Sequence, residues 1–309
     1  MKHTGIDLYK AGKSAEAVRS LSQAVKEKAN EKNAELWNFL GLALMANGEN
    51  KDSRKAFEKA VKIEPTNSAY RLNFAYAHFL LRDLGKARSE AEKSLAIDPK
   101  NVAAMIIRGS SHFFEGNLDK AETDAKFAIA SDETFSQGYI LRAKVLMARV
   151  GAEVTNGSNI RQELATLEEA VGSLKTGYQK CRDDECRKAI QEELDNSEPF
   201  LAHFSKKAFE PGDPNPEPEP GVTPLKIIKK YAPGYTNQAR AANVVGSIRM
   251  AVLFGVNGRV ESVFVLKRLG SGLDEAAIIA ARRIQFEPMK RDGVAVPVVK
   301  MMEYHFDIR

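Results

Sequence analysis

The chain has 309 residues, 43% of them apolar, and a formal net charge of +5; that is length for about two domains and apolar content for real cores. No apolar run approaches the roughly 18 residues of a transmembrane helix, and the residues after Met1 lack the apolar core of a signal peptide, because Lys10–Glu16 is charged and small. Charge is uneven: residues 222–309 hold 14 Lys/Arg against 7 Asp/Glu, a net +7, which leaves about −2 for residues 1–221. A basic half raises nucleic acid as a partner. Here the cations are scattered over a β-rich segment with no aromatic RNA-binding motif, so nucleic acid is not expected, and anionic lipid or acidic peptide segments suit the charge better.

The first half repeats itself. Trp37, Leu40, Gly41, Leu44, Gly48, Phe57, Ala60 and Pro65 are followed 34 residues on by Phe74, Ala75, Ala87, Ala91 and Pro99. A further shift gives Arg108, Gly109, Gly116, Ala121, Ala125 and Ala128, and an earlier unit shows as Gly5, Gly12, Ala17, Leu21 and Ala24. Small residues let paired helices approach closely, and the prolines punctuate the turns. These spacings resemble tetratricopeptide (TPR) repeats, four of them. The resemblance implies that the first helix of each pair lines a concave groove. By repeat position the groove would carry Glu35, Asn38, Leu42 and Met45, then Ala69, Leu72, Tyr76 and Phe79, then Ala103, Ile106, Ser110 and Phe113. That stripe suits an extended or helical peptide with hydrophobic anchors; the competing reading is that some of these residues pack on the neighbouring repeat. His78 and His112 share a repeat position, where a packing role is favoured over a ligand pair.

A fifth, degenerate unit is expected over Tyr139–Arg149 and Ile160–Lys180, and Asp183–Lys206 is expected as a terminal helix covering the end of the stack. Cys181 and Cys186, the only cysteines, lie at this junction. In an oxidising compartment they would close a small disulfide loop; in a reducing one they would be two partly buried thiols. Their spacing is poor for zinc and no histidine cluster accompanies them, so no metal site is assigned. Residues 1–206 are thus read as one helical domain. Residues 207–221 follow as a linker in which Pro211–Gly221 alternates proline with polar residues and predicts a stiff polyproline II spacer of roughly 34 Å, at about 3.1 Å per residue.

Residues 222–309 form the second domain. Val244, Gly246, Ile248, Met250, Val252, Phe254 and Val256 alternate as a half-buried strand. Asn257-Gly258 predicts a type I′ hairpin turn. Val260–Leu269 is β-rich, with a slip in alternation at Val263, Phe264 and Val265 that predicts a bulge. Ser271-x-x-Asp274 predicts a capping box before a helix over Glu275–Ile284, which Pro288 ends. Val298–Phe306 alternates as a closing strand, and a short helix is expected at Thr236–Asn243. Tyr235 with Ala239-Arg240, Gly246, Asn257-Gly258, Leu273-Asp274, Phe286-x-Pro288 and the final strand ending near Phe306 together resemble the C-terminal domain of the TonB energy-transducer family. The expected architecture is an all-α TPR-type helical-hairpin solenoid followed by a small α+β TonB C-terminal-like domain, its strands carrying two helices on one face.

That resemblance implies a periplasmic protein in which an extended segment of a TonB-dependent outer-membrane transporter pairs with a sheet edge. Val298, Val299, Lys300, Met301, Met302, Glu303 and Tyr304 form the candidate edge. The alternatives are a strand inside the sheet or one pairing with a second copy in a homodimer. Arg240 is expected to be structural. The TPR groove would recruit a further, unidentified peptide or protein of the envelope. An inner-membrane motor complex is a partner only if an anchor precedes Met1, and either a missing upstream segment or a soluble relative of the family accounts for the sequence at hand. A non-transducing envelope adaptor or assembly scaffold is the competing function, and a cytoplasmic co-chaperone a more distant one. No enzyme and no cofactor are expected: the histidines are dispersed, and Gly270-Ser271-Gly272 lacks the lysine and spacing of a phosphate loop.

Overall fold

A computed structural model describes residues 2–155, 163–205 and 220–307. They fall into two compact units, Met1–Ser131 and Asp132–Arg309.

The first unit is four helical hairpins: α1 (Lys2–Lys10) with α2 (Ser14–Ala24), α3 (Ala34–Ala46) with α4 (Asn50–Ile63), α5 (Ser68–Leu80) with α6 (Leu84–Ile97), and α7 (Val102–Phe114) with α8 (Leu118–Ser131). First helices of successive hairpins also meet one another, α1 with α3, α3 with α5 and α5 with α7. The close approach is made by small residues: Ala17, Ala43, Ala60, Ala75, Ala87, Ala91, Ala121 and Ala125 are fully buried. A side chain added at Gly41 would put its Cβ 2.5 Å from the Phe57 ring, so helix α3 lies against α4 only as glycine. Each hairpin from the second onward starts on an asparagine cap. Asn33 accepts from Leu36 N, Asn67 from Ala69 N and Tyr70 N, and Asn101 from Ala104 N, each cap stabilising by about 1 kcal/mol. Two ion pairs then tie first to second helices, Arg71–Glu90 at 2.8 Å and Arg108–Asp124 at 2.6 Å.

His78 and His112 are buried. Burial pushes both imidazoles below their ordinary value of 6.5; Asp83 opposes this at His78, where Arg54 and Lys86 reinforce it. Asp124 and Glu115 oppose it at His112, where Arg88 and Lys120 reinforce it. The folded unit therefore holds the neutral form, and the unfolded chain binds more protons. The contribution is full above pH 6.5 and is lost as pH falls below it. Thermal unfolding followed between pH 7.5 and 5.5 is expected to show a falling midpoint for the parent and a smaller fall for His78→Leu/His112→Leu; equal slopes would contradict this.

The second unit begins with α9 (Ser136–Thr155), α10 (Leu164–Lys180) and α11 (Asp184–Ser205). Cys181 and Cys186 are joined by a disulfide at the α10–α11 corner, with Cα atoms 5.5 Å apart. After β1 (Val222–Thr223), β2 (Lys226–Lys229) and α12 (Asn237–Ala241) come β3 (Gly246–Phe254), β4 (Val260–Lys267), α13 (Leu273–Arg282), β5 (Gln285–Glu287), β6 (Lys290–Arg291), β7 (Val294–Ala295) and β8 (Val298–Phe306). The main sheet is antiparallel in the order β4-β3-β8, and β1-β6-β7 and β2-β5 make two smaller sheets.

Both faces of the main sheet are covered. On one, Ile248, Met250, Val252, Val263, Val265, Met302 and Tyr304 share a core with Ala277, Ala280 and Ala281 of α13 and Ala239 of α12. On the other, Ala251, Phe264 and Leu266 share a core with Met147, Val150, Leu194 and Phe200 of α9 and α11. The Phe200 and Phe264 rings stack 4.5 Å apart. A Cβ at Gly151 would come 2.8 Å from the Leu266 carbonyl oxygen, so α9 touches β4 backbone. Helix α11, expected to cap the end of the repeat stack, packs on α10 and also covers this face of the sheet.

Three local expectations are corrected. The Asn257-Gly258 turn is not type I′, because only Gly258 has positive φ, at 74°. Gly255 N donates to Arg259 O at 2.9 Å and Asn257 Oδ1 accepts from Arg259 N at 3.0 Å, which describes a longer loop with glycine in the left-handed position. No bulge lies at Val263–Val265; register shifts instead occur between Arg249 and Met250 and between Leu253 and Phe254. Val263 and Val265 face one core and Phe264 the other, so the unbroken apolar run records burial on two faces. Ser271 does not cap α13. The N-cap is Gly272 at φ 75° without a side-chain bond, and Asp274 instead reaches back to Leu269 N at 2.9 Å and Gly270 N at 3.3 Å.

Of the expected spacer, residues 211–219 lie outside the described residues.

Candidate functional site

Two surfaces come from these elements. In the second unit, β8 is an outer strand. It pairs with β3 without a register break from Gly246↔Phe306 to Phe254↔Val298, and among the described residues no strand lies on its other side. Its backbone direction follows from one bond: Lys230 Nζ donates to Glu303 O at 3.0 Å, so that carbonyl points away from β3. In an antiparallel ladder the N–H and C=O of one residue share a side, and alternate residues repeat it. Val299, Met301, Glu303 and His305 therefore present their peptide groups outward.

The side chains of the candidate edge divide by the same alternation. Met302 and Tyr304 are buried in the core beneath α13. Val298 and Val299 are half-buried, Lys300 is exposed, and Met301 is 45% exposed. Glu303 is half-buried opposite Arg249. His305 Nδ1 lies 2.7 Å from Ser247 Oγ. The edge thus offers backbone groups over an apolar shoulder of Val299 and Met301.

Lys230 sits over this edge. Its ammonium lies 4.4 Å from the Tyr304 ring centroid; burial pushes the ammonium down from its ordinary value, with Glu303 opposing. Burial also raises the Tyr304 phenol. Lys230 is a neighbour of the candidate edge that the sequence does not disclose, because nothing in its local pattern tells that the segment after β2 carries it alongside β8. Arg240, as a positioning residue, lies 5.3 Å from the Tyr235 ring centroid, whose hydroxyl donates to Val244 O.

The sheet is held to its helical hairpin by a buried charge cluster. Glu193 of α11 accepts from Lys144 of α9 at 2.9 Å and from Arg268, just past β4, at 3.3 Å. Arg268 also lies 4.0 Å from Asp274. Burial pushes the Glu193 carboxyl up, and the Lys144 and Arg268 cations more than reverse it, holding it at about 2. Asn196 adds two bonds, its carbonyl accepting from Ser262 Oγ and its side chain from Arg282 at 2.8 Å.

In the first unit, the groove residues predicted from repeat position lie on α3, α5 and α7. Glu35 and Tyr76 are exposed, Tyr76 by 41%. Leu42, Met45, Leu72, Phe79 and Ile106 are half-buried. Asn38 and Phe113 are buried; Asn38 Oδ1 accepts from Asn73 Nδ2 at 2.8 Å and joins α3 to α5. Leu72 and Phe79 pack against Ala75, Ala87, Ala91 and Ile107, so part of the stripe serves packing between helices.

Among the described residues no group of three His, Cys, Asp or Glu side chains is placed to hold a metal ion, and no helix is long and apolar enough to cross a membrane.

Residues 231–308 match the family model of the Gram-negative bacterial TonB protein C-terminal domain. Residues 4–68 and 40–102 match that of the tetratricopeptide repeat. No curated protein matches the chain. Among solved structures it is similar to MamA, at 19% identity over 57% of this chain and 87% of that one, with a TM-score of 0.46. It is similar to a thermophilic TPR protein of Thermus thermophilus, at 19% identity over 62% and 96%, with a TM-score of 0.47. It is also similar to the Arabidopsis OM64 TPR domain, at 21% identity over 36% and 93%, with a TM-score of 0.36.

Proposed function

Because the chain carries TPR repeats followed by a TonB C-terminal domain, two protein-interaction modules with a role in the cell envelope, we propose that it is a periplasmic coupling protein. The outer edge of β8 pairs with an extended N-terminal segment of a TonB-dependent outer-membrane transporter. The observation that carries this reading is the outward carbonyl of Glu303 on a strand with one neighbour among the described residues. Backbone pairing of this kind makes few demands on the partner's sequence, and the shoulder of Val299 and Met301 would take its alternate side chains. The net charge of +7 over residues 222–309 favours a partner strand with acidic residues. The TPR groove recruits a second envelope protein through apolar anchors. The Cys181–Cys186 disulfide supports an oxidising compartment. Contact with an inner-membrane motor would need an anchor ahead of Met1.

Titration calorimetry of the full chain with synthetic transporter N-terminal segments tests this. Saturable binding, lost for a segment interrupted by prolines, is the expected result. No heat and no binding at millimolar peptide would overturn it.

A second reading, an envelope adaptor that transmits no force, is favoured by one observation. Helix α11, which precedes residues 206–219, is packed on β4 through Phe200 and Phe264, so the sheet is not held away from the helix on the other side of the proline-rich segment. Removing that segment from the full chain would abolish transport coupling in a transducer and spare partner capture in an adaptor.

A further inference from the structure

Strand β8 has the features of an edge that joins other strands. It is nine residues long, from Val298 to Phe306, with no proline among them, and its pairing with β3 is unbroken. A long edge with an apolar shoulder recruits a second copy of its own chain as readily as a partner, unless something on it resists. A proline or a bulge within the strand is a common device. Here the resistance comes from outside the strand, from Lys230.

The ammonium of Lys230 has two contacts at the edge. It donates to Glu303 O at 3.0 Å, one of the outward carbonyls of β8, and it lies 4.4 Å from the centroid of the buried Tyr304 ring. The chain on either side is pinned. Lys229 Nζ lies 4.8 Å from the Tyr231 ring centroid and the Arg283 guanidinium 4.5 Å from it, and the Tyr231 hydroxyl accepts from Gln285 Nε2 at 3.3 Å. A strand that pairs across Glu303 must bring an N–H to its carbonyl, and the ammonium has to leave it. For a peptide this happens once. A second copy of the chain meets β8 through a two-fold axis, so each Glu303 O loses its ammonium and two displaced like charges are left on one interface.

We propose that Lys230 is a specificity-determining residue of the β8 edge, opposing pairing with a foreign strand once and pairing with a second copy of this chain twice. This rests on the reading of β8 as a partner-pairing edge and adds what keeps that edge from closing on itself.

The test uses the full chain. Sedimentation equilibrium gives its dimer constant, and fluorescence anisotropy gives its affinity for a blocked peptide of alternating valine and threonine, an extended strand without charge. Lys230→Met keeps an aliphatic stem on Tyr304 and removes the ammonium. A hydrogen bond from a charged donor supports about a tenfold change for each displacement. Lys230→Met is therefore expected to bind the peptide about tenfold more tightly than the parent and to dimerise about a hundredfold more tightly, while Lys230→Arg behaves as the parent. Adding Met301→Pro to Lys230→Met should abolish both gains, because it closes the edge to any strand. If Lys230→Met binds the peptide and self-associates as the parent does, while Met301→Pro abolishes peptide binding, the edge stands and the role of Lys230 is overturned. A Lys230→Met dimer that survives Met301→Pro lies on another surface and overturns it as well. If neither the parent nor Lys230→Met binds the peptide or dimerises, the edge reading itself fails and takes this inference with it.

Discussion

Replacing Met301 by proline is expected to weaken capture of an extended transporter segment by about thirtyfold or more while leaving the protein folded. Met301 shares its direction with Glu303, whose carbonyl faces Lys230 and not β3, so its N–H belongs to the open edge. A proline there removes a donor from the incoming strand without removing a bond to β3. It leaves an acceptor of the partner unpaired, and its ring blocks the approach. An unsatisfied buried acceptor costs about 1–3 kcal/mol beyond the lost bond, and roughly 2 kcal/mol corresponds to the thirtyfold effect. Proline at Met302 should behave differently. Its peptide groups face β3 at Met250, so that variant should lose stability first. Binding constants of the two variants, measured beside their unfolding midpoints, separate the cases. Equal affinity of a folded Met301→Pro variant and the parent would exclude pairing at this edge.

The largest stability effect is expected at Glu193. Its carboxylate is 18% exposed and holds both Lys144 and Arg268, whose side chains are 26% and 8% exposed. Glu193→Ala leaves Arg268 buried without this partner, and removing one member of such a set costs about 3–5 kcal/mol. A volume-matched apolar replacement of all three residues should recover most of that loss, because it removes the desolvation along with the attraction. The pH dependence follows from the carboxyl held at about 2 against an ordinary value of 4.5. Its contribution is complete above pH 4.5 and is lost as pH falls toward 2. Urea unfolding of the parent and Glu193→Ala at pH 7 and pH 3 should show a large difference at the first and a smaller one at the second. A loss under about 1 kcal/mol at pH 7 would mean that the hairpin is held to the sheet by its apolar core alone.

The repeats are legible in the sequence because their spacing is a geometric requirement: Gly41 must admit Phe57, and the buried alanines recur wherever helices cross. The same periodicity carries Asn33, Asn67 and Asn101, a cap signal 34 residues apart that composition alone hides among other polar residues. The C-terminal strands are legible from alternation at Ile248, Met250, Val252 and Phe254. What misleads is local turn chemistry. Asn257-Gly258 favours a two-residue turn only when the flanking register allows it, and here the shift at Leu253 and Phe254 lengthens the loop. The helix packed on the sheet's second face is written in the run Val263–Leu266, apolar on both parities. A single strand cannot tell whether such a run is bulged or doubly buried. The short sheets β1-β6-β7 and β2-β5 carry no pattern long enough to read. The outer position of β8 is a matter of strand order, which no single strand records, and with it comes Lys230, brought to Glu303 across 73 positions of chain.

Whether the outward peptide groups of β8 receive a partner strand is tested most directly by amide hydrogen exchange of the full chain, with and without a saturating transporter N-terminal peptide. Slowed exchange is expected at Val299, Met301 and Glu303, with little change at Met302 and Tyr304, which already face β3. Peptide binding that leaves the three outward amides unprotected, or protects only the helices of the first unit, would contradict pairing at this edge.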